Sequence, residues 1–219
     1  MAETGKIVTA IDIGSSKIVT LVGEAGETEG DFAIVGVGIV PSRGMKRGQI
    51  VNVNEVTQAI RESVDGAERS SATKISAALV SMAGNHIQSQ NSHGAVAIGR
   101  GEQGVTQEDV NRVLEAAQAV TVPNNREVIH VIPRHFKIDE QDGVRHPMGM
   151  LGYRLEAQTN IVTASSTAIQ NLYKCLHQAQ IEQAEVVLAP LASAEATLTP
   201  TEREMGVVMA DIGHGTTDI

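Results

Sequence analysis

Two short segments near opposite ends of the chain carry the residue types best suited to chemistry. Val8-Thr9-Ala10-Ile11-Asp12-Ile13-Gly14-Ser15-Ser16-Lys17 and Val207-Val208-Met209-Ala210-Asp211-Ile212-Gly213-His214-Gly215-Thr216-Thr217 each pass from an apolar strand through an aspartate to a glycine and a hydroxyl-bearing turn. Glycine lets backbone amides approach an anion closely, and Ser and Thr hydroxyls add donors around its oxygens. The chemistry is therefore phosphate binding. An aspartate beside a phosphate would be repelled by it, but can hold the water shell of Mg²⁺, which binds through few carboxylates and keeps several waters. The expected site comprises Gly14, Ser15, Ser16, Lys17, Gly213, His214, Gly215, Thr216 and Thr217 around the phosphates. Asp12 and Asp211 hold the magnesium through water. Lys17 supplies a compensating charge, while His214 either donates to a phosphate oxygen or fills a turn position. One such turn is commonplace in a tight hairpin. Two, each after an apolar strand and separated by nearly the whole chain, point to pseudo-repeated halves facing one ligand.

Other residues of chemical interest read as structural. Seven histidines are present, but His130 and His135 straddle Pro133 and no pair has a compact zinc-ligand spacing. Cys175 lies on a helical pattern near its apolar stripe, as a packed thiol rather than a nucleophile. Arg43, Lys46 and Arg47 form a basic cluster that faces either solvent or a partner such as an acidic headgroup. Lysine and arginine number 17 against 26 acids, a formal charge of −9, and Phe32, Phe136, Tyr153 and Tyr173 are the only aromatics. A net acidic chain with scattered aromatics is unsuited to nucleic acid. With no second cysteine for an internal disulfide, and with Glu3 and Asp12 flanking the only early apolar stretch, the sequence reads as intracellular. No apolar run reaches the roughly 20 residues needed to cross a bilayer.

The elements that must position the two turns follow from periodicity. Lys6 to Ile13, Lys17 to Gly23 and Phe32 to Val40 read as a three-strand meander, broken at Pro41-Ser42-Arg43-Gly44. Asn54 caps a helix whose buried face is Val56, Ala59, Ile60, Val64 and Ala67, and Ile75 to Met82 follows as a strand. From Gly84 the composition turns polar. A helix capped by Thr106 carries Val110, Val113, Leu114 and Ala117, and Glu127 to Ile132 and His135 to Ile138 are two short strands, so the block reads as a βαββ insertion. The core resumes with a strand at Asn160 to Ala164 and a helix carrying Ile169, Leu172, Leu176 and Ala179. A strand at Glu185 to Ala189, a helical turn opened by Pro190 and a last strand at Gly206 to Ile212 complete the pattern. Strands interleaved with helices make this an α/β protein with a mixed sheet.

The paired turns resemble the phosphate loops of the actin, sugar-kinase and heat-shock ATPase superfamily, whose ribonuclease-H-like halves clamp a nucleotide. Within it, four segments resemble the FtsA-like cell-division family: Ile11 to Lys17, Pro41-Ser42-Arg43-Gly44-Met45-Lys46-Arg47-Gly48, Val128-Ile129-His130-Val131-Ile132-Pro133, and Asp211 to Ile219. The resemblance implies the N-terminal half of an actin-like ATPase fold that binds ATP and Mg²⁺. It further implies polymerisation at the cytoplasmic face of the inner membrane, at the division site, and anchoring of the FtsZ ring. The implied subdomains are 1A over 1–83 and 159–204, an inserted 1C over 84–158, and the start of 2A over 205–219. The insert would serve self-association and contact with later division proteins.

Two departures from that family qualify the expectation. The adenosine-binding motif, the FtsZ-binding subdomain and the amphipathic membrane helix of such proteins would lie beyond Ile219, so the chain reads as a fragment. The second phosphate hairpin is then expected to lack its return strand, and ATP binding by these residues alone to be weak or absent. Where hydrolysing relatives carry a water-positioning acid before a proline, this chain has Ala189, and Glu195 is expected to be a surface charge. The expected enzyme activity is at most a slow ATPase. A small-molecule kinase of the same superfold and a pilus-assembly relative are the competing functions.

Overall fold

A computed structural model describes residues 6–26, 32–99, 104–119 and 122–219. Glu3, and positions 100–103 and 120–121 of the expected insertion, lie outside them. The chain divides into two compact units, one formed by the residues up to His86 with Thr167–Ile219, the other by Ile87–Ser166.

The first unit opens with the expected meander, β1 (Ile7–Ile13), β2 (Lys17–Ala25) and β3 (Phe32–Pro41), paired antiparallel in that order. A two-strand hairpin not foreseen from sequence follows, β4 (Met45–Lys46) and β5 (Gln49–Ile50). Helix α1 (Val53–Ser71) buries Val56, Ala59, Ile60, Val64 and Ala67 as its spacing requires, against β2 and β3. Its cap is Asn52 rather than Asn54. The Asn52 side chain accepts from the amides of Asn54 and Glu55, which would otherwise be unpaired in the first turn. Strand β6 (Ala77–Met82) then adds parallel to β1.

The second unit begins with β7 (Ile87–Ala97), a strand concealed in the sequence by its polar outward residues, of which Ser89, Asn91 and His93 are exposed. Helix α2 (Gln107–Gln118) starts at Thr106 with the full reciprocal cap: Thr106 accepts from the Asp109 amide, and the Asp109 carboxylate accepts from the Thr106 amide at 2.9 Å. The two short runs expected around Pro133 form one strand, β8 (Arg126–Ile138). A register shift opposite Gln158 and Thr159 absorbs the residue next to the proline, whose missing donor would interrupt a regular ladder. After β9 (Gln141–Val144) comes β10 (Arg154–Ser165), and the sheet order is β7-β10-β8-β9. The strand expected at Asn160 to Ala164 with the resumed core is therefore the end of β10 and belongs to this sheet. The core of the unit joins Val110 and Val113 of α2 to Phe136, Ile138, Leu155 and Ala157. Entry and exit are adjacent, since Ile87 pairs with Ala164.

The chain then returns to the first unit. Helix α3 (Ser166–Gln178) buries Ile169, Leu172, Cys175 and Leu176, and burial pushes the Cys175 thiol up, so it stays protonated and inert. Strand β11 (Gln183–Leu188) adds parallel to β6, completing the order β11-β6-β1-β2-β3. Helix α4 (Ala189–Thr197) has Pro190 in its first turn, as expected, and a short α5 (Pro200–Met205) follows with its own reciprocal cap between Thr199 and Glu202. Of the strand expected over Gly206 to Ile212, only Asp211–Ile212 is paired, as β12; Val207 and Val208 are exposed and have no strand neighbour among the described residues. The return strand expected to be missing is present. Thr217–Asp218 forms β13 opposite it, with Ile212 facing Thr217.

Candidate functional site

Both turns leave their strand at a glycine and close in the same way. The Gly14 amide donates to the Lys17 carbonyl at 3.1 Å, and the Gly213 amide donates to the Thr216 carbonyl at 2.9 Å. A Cβ at Gly14 would lie 2.9 Å from the Lys17 oxygen, and one at Gly213 would lie 3.1 Å from the Thr216 oxygen. A side chain at either position would crowd the bond that shapes the turn. Each loop is four residues long, bracketed by the pairs Ile13–Ile18 and Ile212–Thr217.

The two loops meet at one cavity of about 610 Å³ within the first unit. Asp12, Gly14, Ser15, Ser16, Lys17, Asp211, Gly213, His214, Gly215 and Thr216 all line it. Of the expected site residues only Thr217, which pairs with Ile212, is outside the lining. The loops also touch: a Cβ at Gly215 would fall 2.7 Å from Ser15 Oγ, so this close approach requires glycine.

Each aspartate is held by a serine from another element. Ser81 Oγ of β6 donates to Asp12 Oδ1, and Ser193 Oγ of α4 donates to Asp211 Oδ2 at 2.8 Å. Neither serine was anticipated. Ser81 faces Asp12 through the parallel register of β1 and β6, which no local pattern reveals. Asp218 of β13 lines the cavity as well. Three carboxylates against the one lysine Lys17 leave the cleft short of positive charge, a balance that favours a bound cation. One wall is built from Ala189, Ala192, Ser193 and Ala196, whose small side chains keep the space open.

The remaining candidates fall elsewhere. Glu195 is 75% exposed and pairs with Arg203 of α5 at 2.5 Å. Arg43 pairs with Glu62 of α1. In the second unit His93 Nε2 lies 2.8 Å from Glu156 and His135 Nε2 lies 3.4 Å from Asp142, both on the outer face of the sheet.

A five-stranded mixed sheet whose first hairpin meets a separate C-terminal hairpin at one cleft, in a chain interrupted by an inserted α/β unit, makes an actin-like fold. The fold of a chain in a PilM–PilN type IV pilus biogenesis complex is similar to it, with a TM-score of 0.57 at 14% identity over 90% of this chain and 51% of that one. Residues 84–163 match the family described as the SHS2 domain inserted in FtsA. Along nearly its whole length the chain is similar to proteins described as the cell division protein FtsA. It is 46% identical to FtsA of Pseudomonas aeruginosa over 99% of this chain and 51% of that protein, and 40% identical to FtsA of Bacillus subtilis over 99% and 49%. The chain thus spans about half the length of the curated relatives it matches. Among the described residues, no helix is long and apolar enough to cross a membrane.

Proposed function

We propose that this chain carries the ATP-binding cleft of an actin-like cell-division scaffold. The observation that supports this is the meeting of two identically closed Gly turns in one cavity, each with an aspartate oriented by a serine. The residues fit a polyphosphate and a magnesium ion. With the Gly14 and Gly213 amides closing the turns, Ser15, Ser16, His214, Gly215 and Thr216 line the cavity and would supply amides and hydroxyls as donors, Lys17 would offset anionic charge, and Gly215 leaves room where a methyl group would not fit. Asp12 and Asp211 would hold Mg²⁺ through its waters, and the bound ion would supply charge neutralisation to the phosphates. Ala189 puts a methyl group where an acid would be needed to orient water. ATP would therefore serve as a ligand that favours one conformation rather than as a fuel turned over quickly. By likeness to its relatives, the scaffold would assemble at the inner membrane and anchor the FtsZ ring, with the inserted unit taking self-association and contacts with later division proteins.

Chemical-shift mapping on this chain with millimolar Mg·ATP tests the cleft. Amide signals of Gly14, Ser15, Gly213 and Gly215 should move together, and the Asp12→Asn and Asp211→Asn changes should remove the magnesium dependence of that response. Movement of one turn without the other, or of neither, refutes a shared polyphosphate site.

A further inference from the structure

We propose that the Arg47–Gly48 turn is a third element of the anion site, in which Gly48 sets the Ser15 hydroxyl as a donor and Arg47 brings a guanidinium to a ligand phosphate. This rests on the polyphosphate reading of the cleft given above. The turn joins β4 to β5, and its register, Met45 opposite Ile50 and Lys46 opposite Gln49, leaves two residues in the loop. Arg47 has φ 50° and Gly48 φ 74°, so both central residues are left-handed, the mirror-image turn that two-residue hairpins favour. That turn prefers Asn-Gly. A long side chain in its first position costs roughly 1 kcal/mol, and such strain persists where surrounding structure or function compensates it. The other left-handed side chains among the described residues are Ala72 and Gln180, just beyond helices, and Asp139 in the β8–β9 connection. Arg47 is the one whose backbone abuts a phosphate loop.

Three contacts place the turn there. The Gly48 amide donates to Ser15 Oγ at 3.0 Å. A hydroxyl has one proton and two lone pairs, so accepting this bond leaves the Ser15 proton to be donated elsewhere, and Ser15 lines the cavity. A Cβ at Gly215 would sit 3.1 Å from Arg47 Cα, so the same turn abuts the second phosphate loop. A Cβ at Gly48 would lie 2.6 Å from the Ala83 carbonyl, which fixes the turn against the end of β6. Arg43, four residues earlier, is occupied by Glu62, whereas Arg47 is exposed and forms no ion pair with any described residue. Gly48 lines the cleft and Arg47 Cα abuts the second phosphate loop, so the exposed Arg47 side chain starts at the edge of the cleft, where its guanidinium would add positive charge for an oxyanion to a lining that holds one lysine against three carboxylates.

The test uses the 219-residue chain and tripolyphosphate with magnesium, titrated at two ionic strengths. Arg47→Asn keeps the left-handed backbone and removes the charge; Arg47→Lys keeps the charge and controls for folding. The asparagine variant should bind about five- to tenfold more weakly, the loss of one charge-assisted contact, with a melting temperature equal to or above that of the parent. Its affinity should also depend less on salt, a readout that a purely structural role would leave unmoved. The lysine variant should recover most of the affinity. Binding by Arg47→Asn within twofold of the parent, with the same salt dependence, overturns the proposal and leaves the cleft intact. Failure of the parent chain itself to bind at either turn removes the polyphosphate reading and this inference with it.

Discussion

Replacing Gly215 by alanine tests the contact between the two loops directly. The new methyl group would stand 2.7 Å from Ser15 Oγ, 2.9 Å from Ser15 Cβ and 3.1 Å from Arg47 Cα. None of these is the free end of a flexible chain, so the β12–β13 hairpin must retreat. Overpacking of this kind costs about 1–3 kcal/mol. The cost falls on the hairpin rather than on the fold, because Val208, Ile212 and Ile219 of that segment are 78% or more exposed and contribute little to the core. The alanine variant should therefore melt within about 2 °C of the parent while its affinity for magnesium tripolyphosphate falls about 5- to 150-fold. Calorimetry gives the first quantity and the chemical-shift titration the second. A variant that binds as the parent does would mean that the loops need not touch to hold a ligand. One that loses many degrees of stability would mean that the hairpin is part of the core.

Four further outcomes follow from the inserted unit and the aspartate supports. Thr106→Ala removes a hydroxyl cap from α2 and should cost about 1 kcal/mol, seen as a fall of about 4–8 °C in the melting temperature of the second unit. The Thr106 amide, then its hydroxyl and the neighbouring Arg112, hold the Asp109 carboxyl down to about 2. A carboxylate depressed in the folded state stabilises above its ordinary titration range, and that stability is lost as pH falls from about 4 toward 2. Acid unfolding followed by circular dichroism should lose part of this limb in Asp109→Asn, and an unchanged profile would exclude the cap as its source. Residues 84–166 expressed alone should unfold in a single cooperative transition, because the core of Val110, Val113, Phe136, Ile138, Leu155 and Ala157 is internal to that unit; a molten span without sharp amide signals would contradict this. Ser193→Ala should leave folding unchanged and weaken the magnesium dependence of anion binding by freeing the Asp211 carboxylate, which a magnesium titration would detect.

Much of this architecture was legible because it rests on local physics. The apolar positions of α1, the hydroxyl cap of α2 and the alternation of β1 to β3 are each dictated by residues within one or two turns of one another. The likeness of the segments around Asp12 and Asp211 was equally plain. What escaped notice depends on pairing across long separations. β7 reads as a polar tract because its outward residues are polar, and its strand character comes from the ladder with β10, some seventy residues later in the chain. The same ladder explains why Asn160 to Ala164 belongs to the inserted sheet. Ser81 and Ser193 reach their aspartates only through the parallel order of β1, β6 and β11 and the placement of α4. The apolar run at Val207 and Val208 misled for the opposite reason: a strand-forming sequence is not a strand until a neighbour pairs with it.

The side-by-side pairing of Ile87 with Ala164 makes the inserted unit a cassette. Its two ends leave the ladder as neighbours, so a bridge of a few residues from His86 to Thr167 could close the gap after excision, and another module with adjacent ends could be spliced in its place. Evolution has the same freedom. A chassis of this kind can change the module it carries by exchanging one block of sequence, without altering a residue of the cleft.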